Sequence, residues 1–432
     1  EKWAKAAAAA LDVMKLEGGT RYELYHKSAS EQVGTGYLPT LPPYDDGNFV
    51  NKSWPDGYKD IDPYESYRSL FNGNVNASDN PELIFTRGQN QSTEGINVMV
   101  RHQLPRAANG WNTHGLTQKQ CDAYYMKDGK NCPGKDSEYI DYPAYAKRID
   151  PNPRAEGFVT DENKDQYPEL GNNRVGVSMQ YVGREPRFYA SVAYNGSTWY
   201  LLNEPNDANK DKQIFYYRGG GNGYTNTMFW LRTGIGVMKF VHPDDTNRDE
   251  KEEYIRKKAE PAIRYAEILL IYAEALCQSS RGSMDKAIAQ VDIVRARVGM
   301  KGLAECNPDK NLQSNKDAFI EELLRERACE LGMEDARFFD LIRYKRADVF
   351  EKQLHGLFIY RLDDNGVRRD LPWRGNDEGK MAYPTHFEYE KFELNNPTRY
   401  WWTNGFDPKW YLSPFPSTEV NKGYGLVQNP GW

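Results

Sequence analysis

The sequence predicts a mainly α-helical protein in which paired helices support a large, irregular, loop-rich region with short strands. Two observations lead to this fold class. Residues 251–346 carry an almost continuous helical pattern, with apolar residues recurring at intervals of three and four. Residues 31–250 are instead rich in Gly, Pro, Asp and Tyr and contain only short strand-like runs. At 432 residues the chain is long enough for about three domains.

The helical segment is predicted to contain four helices joined by short loops. The first covers 260–276, with Pro261 in its first turn and with small and large apolar residues alternating along one face. The next three are predicted over 284–298, 316–331 and 334–344. Four such helices form two antiparallel pairs, the unit of helical repeat proteins.

Shorter elements are expected elsewhere. In chain order they are helices over 3–16, 64–71 and 117–126, an extended stretch over 81–85, and strands over 187–192 and 199–202. Thr117 is the expected N-cap of its helix, because its hydroxyl can accept a hydrogen bond from a free backbone N–H. Asn195-Gly196 lies between the two strands and predicts a two-residue hairpin turn.

Composition argues against several classes of partner. The net charge of −6, with no basic block in the sequence, argues against binding to nucleic acid. The mean hydropathy is −0.83, and no apolar run is long enough for a transmembrane helix. Aromatic residues reach 13%, including 30 Tyr and 10 Trp. Much of the hydrophobic surface therefore lies on rings that carry a polar atom and suit partly hydrated interfaces.

The metal-binding residue types form no recognisable pattern. The five cysteines never occur as CxxC, and the six histidines never occur as HxH or HExxH, so neither a metal nor another cofactor is expected. Cys121 and Cys132 are near enough in sequence to form a disulfide in an oxidising compartment, or to remain thiols. Asp56, Asp60 and Asp62 lack the full ligand pattern of a calcium loop, which favours a solvated turn.

Catalytic motifs are also missing from the sequence. The stretch 219–223 is glycine-rich but lacks the Lys-Ser/Thr of a phosphate-binding loop, and it predicts a turn. Acidic residues within 322–343 alternate with arginines at spacings of three and four. That spacing favours ion pairs between helical residues over the acid and base of a glycoside hydrolase.

Aromatic residues in loops are the strongest functional signal. Rings beside Asn, Asp and Gly can stack on the C–H faces of sugars while amides and carboxylates bind hydroxyl groups. The predicted ligand-binding residues are Trp54, Tyr58, Trp111, Asn112, His114, Tyr224 and Trp230. Further rings in the C-terminal part are Trp373, Trp401, Trp402 and Trp410.

Several segments occur in an order typical of one family. They are TQKQCDAYYMKDGK (117–130), GREPRFYASVAYNGSTW (183–199), IRYAEILLIYAEAL (263–276), VDIVRARVG (291–299), LLRERACELGMEDARFFDLIRY (323–344) and YLSPFPSTEVNKGYGLVQNPGW (411–432). Together they resemble the SusD/RagB-like outer-membrane nutrient-binding lipoproteins. Glu185 stands where Asp is usual in that family, and Met333-Glu334-Asp335 stands where Phe-Glu-Gly is common.

The resemblance implies a tetratricopeptide-like α-α superhelix and a binding protein rather than an enzyme. The implied partners are an oligosaccharide or polysaccharide and a TonB-dependent SusC-like transporter that receives it. The implied location is the outer membrane, exposed at the cell surface, through an N-terminal lipid anchor that lies outside this sequence. A peptide ligand, as in some members of the family, is the alternative, and a helical glycoside hydrolase is a third.

The same resemblance suggests a division of the chain. We expect 1–30 to be a remnant of N-terminal helical repeats, 31–250 to bind the ligand, 251–346 to form the helix pairs and 347–432 to be a loop region packing on the helices. It also gives structural roles to Trp199 and to residues that hold the helices together, namely Arg264, Glu267, Arg327, Glu330 and Arg337.

Overall fold

The computed structural model describes residues 1–29, 47–87, 95–132, 157–203, 212–224, 230–248, 254–362, 365–369, 386–394 and 401–432. Helices dominate, which confirms the predicted mainly α fold class. The helices are α1 (Lys2–Met14), α2 (Gly47–Val50), α3 (Pro63–Arg68), α4 (Ile96–Gln103), α5 (Gln118–Ala123), α6 (Pro186–Ser191), α7 (Tyr265–Gln278), α8 (Met284–Arg297), α9 (Leu303–Cys306), α10 (Lys316–Glu330), α11 (Ala336–Arg343), α12 (Ala347–Phe350), α13 (Trp401–Asn404) and α14 (Ser417–Val420).

The strands are short and pair antiparallel in small sheets. They are β1 (Lys27–Ser28), β2 (Ile61–Asp62), β3 (Leu83–Thr86), β4 (Val192–Ala193), β5 (Ser197–Trp199), β6 (Lys212–Ile214), β7 (Gly236–Val237), β8 (Pro261–Arg264), β9 (His355–Leu362), β10 (Arg368–Arg369) and β11 (Phe387–Glu393). The pairs are β1 with β2, β3 with β8, β4 with β7 and β5 with β6, and β9 lies between β10 and β11.

Helix α7 is the centre of the helical part, because α1, α8 and α10 all pack against it. Their apolar faces form an aliphatic core, which we call the helical core. Its buried members are Leu24, Ala266, Leu269, Leu270, Ala273, Cys277, Ala287, Ile288, Val291, Val294, Leu303, Leu312, Phe319, Ile320, Leu323 and Leu324. Helices α8, α10 and α11 begin and end within two residues of their predicted bounds.

A second core lies in the loop-rich part and consists largely of rings. We call it the aromatic core, and its fully buried rings include Tyr67, Phe71, Tyr124, Tyr125, Tyr181, Phe188, Phe387 and Tyr389. Several stack on one another: Tyr181 lies 4.8 Å from Tyr194, and Phe188 lies 5.6 Å from Tyr194, measured between ring centroids. Irregular backbone is therefore fixed by ring packing instead of by long regular elements.

The prediction of a helix beginning at residue 260 was wrong for its first five residues. Pro261–Arg264 form β8, which pairs with β3 in a register that places Arg264 opposite Leu83. Helix α7 therefore begins at Tyr265, after an Arg264 in extended conformation. Pairing with a distant strand outweighs the local helical pattern here, as tertiary contacts commonly do for short segments.

The strand predicted over 187–192 is also wrong. Residues Pro186–Ser191 form α6, with Pro186 in the first turn, where its missing N–H costs nothing. No hairpin joins β4 to β5, because β4 pairs with β7 and β5 pairs with β6. Asn195 is instead buried, accepting a hydrogen bond from the Tyr216 N–H (2.8 Å) and donating one to the Tyr389 hydroxyl (3.1 Å).

The C-terminal part contains a sheet that the sequence analysis missed. Strand β11 pairs along its whole length with β9, and its residues alternate between buried and partly exposed. The alternation in FEYEKFE is the normal period of a half-buried strand, but its charged residues hid it from a hydropathy reading. This sheet supports part of the candidate site.

A network of buried ion pairs joins the helices to the loop-rich part. Its carboxylates are Glu82, Glu185, Glu326, Glu330 and Glu334, and its cations are Arg187, Lys239, Arg264, Arg295 and Arg297. Arg187 on α6 reaches Glu326 (2.6 Å) and Glu330 (3.1 Å) on α10. Arg264 contacts Glu82 at 2.6 Å. The predicted role of Arg264 and Glu330 in holding elements together is thus confirmed, and it extends beyond the helices.

The remaining helix-holding residues make similar contacts. Arg327 pairs with Asp340 on α11 (2.8 Å) and lies 3.5 Å from Glu267 on α7. Arg337 donates a hydrogen bond to the Leu324 carbonyl (3.0 Å). Within the described ranges, no helix is both long and apolar enough to cross a membrane.

Candidate functional site

The segment that follows α4 fixes Trp111 and His114 beside His102. The Trp111 ring meets the His102 ring edge-on at 4.6 Å, and the His114 ring stacks on the His102 ring, also at 4.6 Å. The Trp111 N–H donates to the Arg101 carbonyl (2.7 Å), and the Thr113 N–H donates to the His102 carbonyl (2.9 Å). All three rings are half-buried, so each keeps a part that a ligand can reach.

Asn112 holds this segment in place. Its φ of 51° lies in the left-handed region, which Asn tolerates better than most residues. Its side chain is buried and donates to the Asn222 carbonyl at 2.7 Å. Asn222 in turn accepts a hydrogen bond from the Arg106 N–H (2.9 Å). The amide of Asn112 is therefore engaged within the protein, and its contribution to a site is positional.

Tyr224 and Trp230 form a second aromatic group. Their rings meet edge-on at 4.4 Å. The Arg218 guanidinium lies over the Tyr224 ring at 4.3 Å and over Phe358 of β9 at 4.8 Å. The exposed Arg232 lies 5.5 Å from the Trp230 ring. These contacts attach the group to the β9–β11 sheet, because Phe358 stacks on Phe392 at 4.0 Å.

A glycine-rich turn links the two groups. The Gly219 N–H donates to the Tyr224 carbonyl (3.0 Å), which confirms the turn predicted over 219–223. A Cβ on Gly223 would lie 2.0 Å from the Tyr217 carbonyl oxygen, so the turn packs too closely for a side chain there. Asn222 lies in this turn and bonds to Asn112, so it connects the two aromatic groups. We call Trp111, Asn112, His114, Tyr224, Trp230 and His102 together the aromatic site.

Trp54 and Tyr58 lie in a different neighbourhood, where the early loop meets the helices. Trp54 stacks on His26 at 4.5 Å and packs against the helical core. Tyr58 meets Phe49 edge-on at 5.5 Å and lies next to Gly299 at the end of α8. Both rings are half-buried anchors of the loop.

The aspartates of the same loop have local roles. The Asp60 carboxylate accepts a hydrogen bond from the Trp54 N–H (2.8 Å), which lowers the pKa of Asp60. Asp62 caps α3 by accepting from the N–H groups of Tyr64 and Glu65, each at 3.0 Å. Among the described residues, no cluster of three or more His, Cys, Asp or Glu could hold a metal ion.

Trp401 packs with Phe350, Phe406 and Trp410 in a cluster that anchors the C-terminal tail. Trp373 and the side chain of Trp402 lie outside the described residues. Cys121 and Cys132 are both buried thiols in the structure, and no disulfide joins them.

Sequence reasoning missed several contributors to the aromatic site. They are His102, Arg218, Asn222, Arg232 and Phe358. His102 lies within α4 and carries no motif, and Phe358 lies in a strand that was not recognised. Only Arg218 and Asn222 had a signal, because they flank or belong to the glycine-rich turn.

Comparison with known proteins places the chain in one family. A model of the SusD family (SusD/RagB) matches residues 46–432. A search of curated protein sequences gives no match. Among solved structures, a SusD-like protein from Bacteroides fragilis NCTC 9343 aligns over the whole chain with 21% identity and a TM-score of 0.58. The protein BT4246 aligns over the whole chain with 19% identity and a TM-score of 0.64.

The similarity to these structures concerns the fold, because fewer than a quarter of the aligned residues are identical. The chain spans less than two thirds of their length, namely 62% of the B. fragilis protein and 62% of BT4246. The family model, in contrast, covers most of this sequence and includes all the family-like segments quoted above, from 117 to 432. The chain therefore belongs to the SusD family.

Proposed function

We propose that this chain is part of a non-catalytic protein of the cell surface that binds an oligosaccharide or polysaccharide and delivers it to a TonB-dependent SusC-like transporter. The observation that carries the proposal is the aromatic site, in which Trp111 and Trp230 lie half-buried in two groups linked by Asn112 and Asn222. Members of the family are typically non-catalytic and associated with the outer membrane.

The chemistry of the aromatic site suits a glycan. Half-buried Trp and Tyr rings present apolar faces to the C–H groups of a sugar ring. The exposed Arg232 guanidinium, 5.5 Å from the Trp230 ring, supplies hydrogen-bond donors beside those faces. Tight backbone hydrogen bonds hold Trp111 in place before a ligand arrives, so little conformational entropy is lost on binding.

The most prominent buried carboxylates favour binding over hydrolysis. Glu326 and Glu330 are fully buried and paired with arginines. A glycoside hydrolase needs two carboxyl groups that face the scissile bond across a cleft. Paired carboxylates inside the protein do not meet that requirement.

Affinity electrophoresis against a panel of soluble polysaccharides, followed by calorimetry with oligosaccharides, tests the proposal. We expect at least one polysaccharide to retard the protein. We expect Trp111→Ala and Trp230→Ala each to weaken binding about tenfold or more, equivalent to about 1.4 kcal/mol. Trp54→Ala and Trp410→Ala are matched controls, because they remove rings outside the aromatic site, and they leave affinity unchanged.

Circular dichroism confirms that each variant is folded before its affinity is compared. Binding of peptides with no binding of any polysaccharide would favour the peptide alternative. Glycan turnover by the purified protein, abolished by a single Asp→Asn change, would instead establish an enzyme. Co-purification with the SusC-like transporter tests the delivery step separately.

A further inference from the structure

A recess separate from the aromatic site lies between α3, α6, β5 and the segment 238–243. Its space, including the open mouth, is about 610 Å³. It is lined by Tyr64, Arg68, Glu169, Leu170, Tyr189, Tyr194, Ser197, Trp199, Tyr200 and His242, among others. None of the seven residues predicted to bind ligand lies in this lining.

Five of the sixteen residues that line the recess are Tyr or Trp. Tyr64, Tyr189, Tyr194 and Trp199 are all less than one-tenth exposed, and Tyr200 is half-buried. Tyr194 is fixed from behind by stacking on Tyr181. The rings therefore line one recess in fixed positions, with the Tyr189 and Tyr194 centroids 6.3 Å apart.

One wall residue is a carboxylate with unused bonding capacity. Glu169 is 3% exposed, and its Oε1 accepts a hydrogen bond from the Gly183 N–H (3.0 Å). Its Oε2 has no hydrogen-bond partner among the described residues, and the same holds for the Ser197 hydroxyl. Burial raises the pKa of Glu169, while backbone hydrogen bonds from Glu169 and Gly183, and then Lys127 and Arg174, act in the opposite direction. A buried carboxylate in this condition is costly unless a cation approaches it.

The other ionisable groups of the wall are already compensated or neutral. Arg68 pairs with the Glu65 carboxylate: its Nε donates a hydrogen bond at 3.0 Å, and its Nη2 lies 2.9 Å away. Burial and the nearby Arg256 lower the pKa of His242 to about 3, so His242 is neutral near pH 7. Glu169 is therefore the charged wall residue that has an oxygen, Oε2, without a hydrogen-bond partner among the described residues.

We propose that this recess binds a small organic cation carrying a substituted ammonium group. Cations bind over the faces of Trp and Tyr rings, more strongly when both are shielded from water. A cation held among the rings would also compensate the charge of Glu169, which an uncharged sugar hydroxyl cannot do. This site is distinct from the aromatic site and does not depend on glycan binding.

Calorimetry with choline and its uncharged isostere 3,3-dimethylbutan-1-ol tests the proposal. The two molecules share shape and hydroxyl group and differ in charge. We expect saturable binding of choline and at least tenfold weaker binding of the isostere. Glu169→Gln retains an acceptor for the Gly183 N–H but removes the charge, and it weakens choline binding at least tenfold. Glu162→Gln, at an exposed carboxylate seven residues earlier in the sequence, is the matched control and leaves choline binding unchanged.

Equal affinity for choline and the isostere would overturn the proposal, as would no saturable binding of choline at millimolar concentration. Choline binding that survives in a folded Glu169→Gln variant would also overturn it. If that variant does not fold, the comparison of the two molecules on the unmodified protein decides. Retention of polysaccharide by Glu169→Gln, measured by affinity electrophoresis, keeps the result separate from the glycan proposal.

Discussion

The helical core and the aromatic core are built on different principles. The helical core consists mostly of Ala, Val, Leu and Ile from helices adjacent in sequence. The aromatic core consists largely of Tyr, Phe and Trp drawn from distant loops. Tyr67, for example, donates from its hydroxyl to the Glu330 carbonyl, 263 residues away (3.0 Å). Small aliphatic side chains let helices approach, whereas rings with a polar atom can satisfy irregular backbone.

The buried ion-pair network connects the helical core to the aromatic core. Glu330 lies on α10, yet its partners come from α6, β8 and α8. Buried ion pairs repay the loss of hydration only when every partner is present. The network therefore requires the two parts to be assembled together, and neither core alone positions it.

Glu330→Gln is expected to have the largest effect on the free energy of unfolding. The change leaves three buried guanidinium groups without their shared carboxylate, a loss of about 3–5 kcal/mol. Urea unfolding followed by circular dichroism measures it. Glu321→Gln is the matched control, because Glu321 is 59% exposed and its pair with Arg346 is worth less than about 1 kcal/mol. Equal losses in the two variants would show that the network does not join the cores.

Low pH should weaken the same ion pairs of Glu330. Burial alone would raise the pKa of Glu330, but Arg297, Arg264 and Arg187 outweigh burial and hold this pKa well below its usual value. The unfolded chain takes up the proton near the ordinary pKa of about 4.3, so the stabilisation is complete above about pH 5 and is lost as pH falls towards the folded value.

Unfolding free energies at pH 7, 5, 4 and 3 check this dependence. The difference between the unmodified protein and Glu330→Gln should narrow as pH falls below about 5, because the unfolded chain then binds a proton at Glu330 that the folded protein does not yet bind. A difference that stays constant from pH 7 to pH 3 would contradict the assigned ion pairs.

A larger side chain should destabilise the protein in the helical core but not on the exposed side of a helix. Ala273 on α7 is fully buried where neighbouring helices approach closely. Ala273→Leu is expected to cost about 1–3 kcal/mol of unfolding free energy, because the added carbons force the helices apart. Ala8→Leu, on the exposed side of α1, changes stability by less than about 0.5 kcal/mol. Thermal unfolding of both variants measures the contrast.

A smaller effect is expected in the loop-rich part. Asn222→Ala removes the acceptor for the Arg106 N–H but leaves the backbone carbonyl that Asn112 uses. We expect a loss of about 1 kcal/mol in unfolding free energy and weaker polysaccharide binding, since Asn222 links the two halves of the aromatic site. Unchanged affinity in affinity electrophoresis would show that the halves act independently.

The sequence predicts the paired helices more accurately than the elements of the loop-rich part. Helices α8 and α10 were predicted closely, because their apolar period is local and their apolar faces pack on α7. Helix α6 was missed, since Phe188 and Tyr189 favour strands and the conformation of this short, fully buried segment is set by its surroundings. Strand β8 was missed because its partner, β3, lies about 180 residues away in sequence and no local pattern encodes the pairing.

The candidate site shows the same limit. Trp111, His114, Tyr224 and Trp230, which the structure brings together, were identifiable as rings in polar loops, but so were Trp54 and Tyr58, which lie where the early loop meets the helices. Residue type alone cannot separate a ring that anchors a loop from one that lines a site. His102 and Phe358 had no signal at all, because their role depends on which loop packs against them.

The sequence by itself determined the helix pairs, the Thr117 cap, whose hydroxyl accepts from the Gln120 N–H, and the ordered segments that mark the family. These depend on contacts between residues close in sequence, or on motifs. Only the tertiary structure decided how the buried charges pair, which loop rings belong together, and that Glu169 lies within an aromatic recess. Those features join residues far apart in the chain, and the free energy that fixes them comes from burial, which a linear pattern does not contain.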